Sequence, residues 1–224
     1  MIAAKALTQL SSGVSLGRYQ ELLGASPAIL RPVGRFREAI WVTDLYAVQA
    51  ILGPVDQVLG YSATTRSARF QPPLERFENH QLGATRFIDV TDQLAGDGDT
   101  TLVHSISALR GVWWYSEVIP ASGATNEDTI ALTSSDASDI DPGLDTGELP
   151  IIDAAGLPGG PSEPVAFGPL VSVRIDDPSV SKIRSRLVIT TYSVLGPELS
   201  LEQLPVEFRF GATRADIESV IPIR

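Results

Sequence analysis

The chain has 224 residues, of which 43% are hydrophobic, with no cysteine and a formal net charge of −10. That length suits one large domain or two small ones with a buried core, and the missing thiol excludes disulfides, thiolate zinc sites and cysteine nucleophiles. No run of about 18 apolar residues occurs, which excludes a membrane-spanning helix.

The first ten residues hold one lysine, and Ser11, Ser12 and Gly13 follow too early for a secretory signal. The sequence therefore predicts a protein of the cytoplasm, or of a virion assembled there. Residues 1–61 read as a segment of short helices. Tyr19 to Leu23 followed by Gly24 predicts one helix with a C-terminal glycine, and Pro27 and Pro32 keep the next stretch extended. A stronger helix is predicted at about 44–52, capped by Thr43, with Leu45, Val48, Ile51 and Leu52 as one apolar stripe. Pro54 then opens a further turn carrying Val55, Val58 and Leu59.

Residues 62–86, with Arg66, Arg69, Arg76 and the Pro72-Pro73 pair, read as a connecting arm. From Phe87 the period changes to two, so residues 87–224 predict a β domain. Strands are expected at 102–109, at 112–119, at 129–133 and at 171–175. Further strands are expected along the β-branched run from Lys182 to Leu195 and at 206–210, where Val206, Phe208 and Phe210 alternate with polar residues. Thr213 is placed to cap a final helical turn over 214–220. The sequence thus predicts a mainly β fold, an antiparallel β-sandwich or jelly-roll-like barrel with short N-terminal helices. Residues 134–164, rich in Asp, Gly, Pro and Ser, predict one long acidic loop.

Charge is uneven along the chain. Residues 1–86 hold 9 basic and 6 acidic side chains, residues 87–173 only Arg110 against 14 acids, and residues 174–224 seven of each. The acidic middle repels phosphates and predicts no direct nucleic-acid binding there.

Candidate chemistry is sparse. His80 lies in a polar stretch, and His104 lies on a strand face between Leu102 and Ile106, where a hydrogen-bonded core histidine is expected. The nucleophile elbow, the paired-histidine zinc motif and the complete phosphate loop are all missing. Glu117, with Asp89 or Asp92, could supply a glycosidase-like acid pair, but no spacing fixes two carboxyls at a working separation. Asp97, Asp99, Asp136, Asp139, Asp141 and Asp145 offer hard oxygen ligands for calcium; counted from Asp139, however, the sixth position is Leu144 where the EF-hand loop needs glycine. Trp113, Trp114 and Tyr115 form an aromatic cluster that serves as core, ligand platform or interface, and alternation forbids both tryptophans from entering one core.

A set of strands without a catalytic constellation favours a non-enzymatic role. The expectation is a structural subunit of a symmetric assembly, such as a virion capsid or tail protein, whose partners are copies of itself and other structural subunits. The alternatives are a β module that binds a glycan or another ligand, and, third, a carboxylate-dependent glycoside hydrolase. No cofactor is expected beyond calcium at the acidic loops.

Overall fold

The structure, a computed structural model, describes residues 2–74, 77–90, 100–106, 114–119, 128–140, 171–174, 178–205 and 208–221, with the backbone alone at 2–3, 100–106, 171–174 and 179. Its described strands are β1 (Ile29–Val33), β2 (Phe36–Val42), β3 (Tyr46–Leu52), β4 (Val58–Thr65), β5 (Thr100–Ile106), β6 (Trp114–Ile119), β7 (Thr129–Ser135), β8 (Val171–Arg174) and β9 (Thr191–Leu195). They form one sheet in the order β1-β2-β3-β4-β9-β7-β6-β5-β8, antiparallel at every pairing. β1 to β4 run as a meander, and β9 slots between β4 and β7, joining the early strands to the later ones.

The fold is mainly β, as expected. A sandwich or barrel needs a second sheet or a closed one, whereas all nine described strands lie in one open sheet with β1 and β8 at its ends. The β structure also begins far earlier than residue 87, because β1 to β4 occupy residues 29–65.

Four short α-helices accompany the sheet among the described residues: α1 (Ile2–Leu7), α2 (Leu16–Leu23), α3 (Pro178–Arg184) and α4 (Arg214–Val220). Ser15 caps α2 by accepting from the Arg18 N–H, and Gly24 closes it at φ 71°, a left-handed conformation that favours glycine. Two 3-10 turns lie at Phe87–Val90 and Leu201–Gln203.

The helix expected at 44–52 is instead strand β3. Thr43 does not cap a helix; its hydroxyl accepts from the Leu45 and Tyr46 N–H groups and donates to the Tyr46 carbonyl, closing the β2–β3 turn. Every residue of β3 is buried, so both faces are covered and the apolar residues no longer mark one side. Likewise Val58 and Leu59 begin β4, while Val55 projects from the β3–β4 turn, 81% exposed.

The run from Lys182 to Leu195 divides in two. Pro178 opens α3, on which Val180 and Ile183 are buried with helical spacing, and only Thr191–Leu195 is strand. Residues 208–210 are not strand either: the Phe208 N–H donates to the Pro205 carbonyl in a turn, and the Arg209 carbonyl accepts from the Gln49 side chain. The helix predicted over 214–220 and its Thr213 cap are present.

One sheet face carries Trp41, Val48, Tyr61, Tyr115, Leu132 and Tyr192, and is covered by α1, α2, the segment through Phe87 and α3. The other face carries Ile51, Trp114 and Val118 toward one end and Ile40 and Ala47 toward the other, under the C-terminal segment and α4.

Candidate functional site

The β1–β2 hairpin positions the first polar group. Val33 pairs with Phe36 across Gly34 and Arg35, which places Arg31 directly opposite Glu38 and Ile40 opposite Gln49 of β3. These odd- and even-numbered partners share the face that the C-terminal segment covers. Arg31 Nε donates to Glu38 Oε2 at 2.6 Å, and Arg31 Nη1 donates to Asp216 Oδ1 at 2.5 Å. Gln49 Nε2 donates to Glu38 Oε1 and, at 3.0 Å, to the Arg209 carbonyl; Gln49 Oε1 accepts from the Gly211 N–H at 2.8 Å.

Asp216 completes the arrangement from α4. Its Oδ2 accepts from the Thr213 N–H at 3.0 Å and the Thr213 hydroxyl at 2.7 Å, while the Asp216 N–H returns a bond to Thr213 Oγ1. Glu38, Gln49 and Asp216 are buried, whereas the Arg31 side chain is 45% exposed. Burial opposes the charge on Arg31, but the hydrogen bond to Asp216 and the charges of Glu38 and Asp216 outweigh it and raise the guanidinium pKa.

A cleft of about 310 Å³ opens over these groups. Arg31, Glu38, Gln49, Arg209 and Thr213 supply its polar lining, and Pro32, Val33 and Phe208 its apolar lining. Phe208 is braced edge-on against Phe210 with ring centroids 5.5 Å apart. Beneath the adjoining cover runs a buried stripe of hydroxyls: Ser62 with Ser193 at 2.8 Å, Thr64 with Thr191 at 2.9 Å and Ser116 with Thr133 at 2.6 Å. The C-terminal segment therefore rests on polar as well as apolar groups of the sheet.

On the opposite face a second polar centre is fully enclosed. Arg184 Nε donates to Glu117 Oε1 at 2.8 Å, Arg184 Nη2 to the Phe87 carbonyl at 2.9 Å, and the Tyr115 hydroxyl to Glu117 Oε1 at 2.7 Å. Both charged side chains are 0% exposed. Burial pushes the Glu117 carboxyl up, against the opposing pull of Arg184 and the Tyr115 hydrogen bond. Burial, together with the Glu117 charge, also holds the Tyr115 hydroxyl well above its ordinary pKa, so it stays protonated and donates. The arrangement anchors α3 and the turn at Phe87 to β6.

The residues singled out in the sequence are not gathered into one place. Trp114 is buried on the C-terminal face, where its indole N–H donates to Ser116 Oγ at 2.7 Å. Tyr115 is buried on the other face, edge-on to Phe87 at 5.0 Å. Both rings are occupied by contacts within the chain, and Trp113 lies outside the described residues. Glu117 faces Arg184 rather than solvent, Asp89 accepts from the Arg86 N–H at 2.9 Å, and Asp92 lies outside the described residues.

Of the calcium candidates, Asp136 is half-buried and Asp139 exposed; Asp97, Asp99, Asp141 and Asp145 lie outside the described residues, as does the acidic loop from residue 141 onward. Among the described residues no group of three His, Asp or Glu side chains converges to hold a metal ion. His80 Nδ1 lies 3.5 Å from the Thr85 hydroxyl at a surface depression, and His104 stands opposite Ser116 in the backbone register of β5 and β6. No helix among the described residues is long and apolar enough to cross a membrane.

Compared with protein-family models, curated proteins and solved structures, the chain matches none of them.

Proposed function

We propose that the protein is a binding module whose β-sheet presents the Arg31–Glu38–Gln49 cleft to a small ligand. One observation carries this reading: several convergent polar side chains, two of them buried in the sheet, line a cavity of about 310 Å³ beside an apolar wall. That volume lies at the lower end of the ~300–1,000 Å³ typical of small-molecule sites, which combine apolar lining with a few fixed polar groups. The supporting elements are regular strands locked by hydrogen bonds, the kind of scaffold that holds a site without reorganisation cost.

The test is a thermal-shift and NMR screen of the full chain against a chemically mixed fragment collection. The expected result is saturable ligands whose resonance changes map to β1, β2 and residues 208–213, and which are lost when Val33→Trp fills the cleft. Ligands that bind Val33→Trp as well as the parent chain would remove this site from the protein's function.

A second reading is a structural subunit of a symmetric assembly, such as a virion capsid or tail, joined to copies of itself or to other structural subunits. The position of β1 at the end of the sheet, with Leu30 50% exposed, favours it. Pro32 within β1 lacks an N–H and limits how far another strand could pair there. Light scattering decides between them: a regular oligomer that Leu30→Lys dissolves supports assembly, and a monomer at high concentration rules it out.

A further inference from the structure

We infer that the cleft between β1 and the C-terminal segment takes a small organic oxyanion, a carboxylate or phosphate group on a short apolar body, with Arg31 as its anchor. The inference rests on the binding-module reading above and specifies its ligand.

Much of the hydrogen-bonding capacity around the cleft is already used within the protein. Glu38 accepts from Gln49 on one oxygen and from Arg31 on the other. Asp216 accepts from Arg31 on one oxygen and twice from Thr213 on the other. The Gln49 side chain has its carbonyl taken by the Gly211 N–H and its amide by Glu38 and the Arg209 carbonyl. Each oxygen of the two carboxylates thus accepts from a group of the protein itself, and both carboxylates are buried while the guanidinium is partly exposed.

Arg31 differs. Its Nε and Nη1 are engaged by the two carboxylates, while Nη2 makes no hydrogen bond among the described residues. Two charged clamps thus fix the plane of the guanidinium and leave its Nη2 amino group for an incoming acceptor, on a side chain that is 45% exposed. A planar guanidinium held in this way is suited to an oxyanion, which accepts charge-assisted hydrogen bonds from it. Arg209 lines the same cleft, with its Nη1 donating to the Phe208 carbonyl. A cationic ligand would meet the partly exposed Arg31 guanidinium ahead of carboxylates that are buried and already bonded to it. Phe208, Pro32 and Val33 leave room for an apolar body beside the charged head.

The experiment uses the full chain, isothermal titration calorimetry, and the arginine side-chain N–H resonances as a reporter that needs no variant. The probes are 3-phenylpropionate, glycerol 3-phosphate and inorganic phosphate, with 3-phenylpropanamide and 3-phenylpropylamine as neutral and cationic counterparts. The expected result is saturable binding of at least one organic anion, movement of the Arg31 Nε–H resonance, and at least tenfold weaker binding in Arg31→Lys, which keeps the charge and loses the fork. Preference for the propionate or for the glycerol phosphate assigns the head group; inorganic phosphate binding equally well would remove the apolar body from the inference. Tighter binding of the amide or the amine at this cleft would overturn the oxyanion assignment and leave the binding-module reading standing. If no anion binds, or binds without moving the Arg31 resonance, the inference is wrong.

Discussion

Arg31 and Asp216 are 185 positions apart in the chain, yet their side chains meet at 2.5 Å, so the strand at one end of the sheet is tied to the C-terminal helix by a single guanidinium. The same guanidinium holds Glu38, its neighbour across the hairpin. α4 rests on the sheet through Ile217 and on this polar tie. An arginine can serve both carboxylates because its donors lie in a rigid fork; a lysine ammonium on a flexible stem cannot reproduce that geometry.

The expected outcome of Arg31→Lys is therefore a loss of about 1–2 kcal/mol, within the range for hydrogen bonds to charged groups and lowered because Arg31 is partly exposed. The loss should be local first. Hydrogen exchange of the α4 amides should quicken more than that of β3 or β9, whereas equal acceleration everywhere would mean that α4 does not depend on the tie.

Glu117 and Arg184 make the opposite kind of pair, with no exposure at all. Removing one partner leaves an unpaired buried charge, for which the cost is about 3–5 kcal/mol, whereas replacing both with apolar groups of similar volume is often close to neutral. Glu117→Leu should accordingly destabilise strongly, and Glu117→Leu combined with Arg184→Met should recover most of the loss. Urea unfolding of the two variants measures this directly; a double variant as unstable as the single one would show that the bonds to Phe87 and Tyr115 matter more than the charge.

Asp136, at the end of β7, supplies a pH dependence. Burial lifts its carboxyl from 3.8 to about 6, against the pull of Arg214 and its own backbone hydrogen bond and with some help from Glu218. Because the folded state favours the protonated form, this group's contribution to stability is complete below the unfolded value and is lost as pH rises through about 6. The stability lost above that pH is well below the full value of the shift, because the carboxyl is only half-buried and solvent screens it. Asp136→Asn should raise the melting temperature at pH 7.5, change it little at pH 4, and flatten the profile between them. A parallel displacement of the whole profile would place the titration on another group.

How much of this was legible in the sequence depends on the range of the interaction. Ser15, Gly24 and Thr213 act within a few residues of themselves, and their caps could be read from residue type and position. Glu117 and Tyr115, two apart on one strand, had to share a face, yet Arg184 came to meet them from a helix that the β-branched composition of 182–195 disguised. The sequence of β3 reads as a helix because burial of both its faces removes the alternation by which a strand is recognised. A hairpin turn at Gly34 and Arg35 would have paired Arg31 with Glu38, so half of the cleft was readable from local chemistry. Gln49 and Asp216 join only through the sheet order and the return of the C-terminal segment, which no short spacing encodes.

That return passes closely over the sheet at Gly211. Its φ of +100° disfavours any side chain, and a Cβ there would lie 2.8 Å from Thr64 Oγ1 and 2.9 Å from Thr191 Cγ2, both rooted in strands beneath it. Gly211→Ala carries two separable costs: about 1–3 kcal/mol for the backbone conformation, and displacement of the Thr64–Thr191 hydroxyl pair, whose oxygens are 2.9 Å apart. Thr64→Ala makes room without changing the backbone. Added to Gly211→Ala it should return part of the lost stability, as a double-mutant cycle in chemical denaturation would show, while the conformational part stays lost. The Gly211 N–H to Gln49 Oε1 bond offers an independent readout, because lifting the segment frees that amide to exchange. If Gly211→Ala left both the unfolding midpoint and that exchange rate unchanged, the segment would not be seated on the hydroxyl stripe as described.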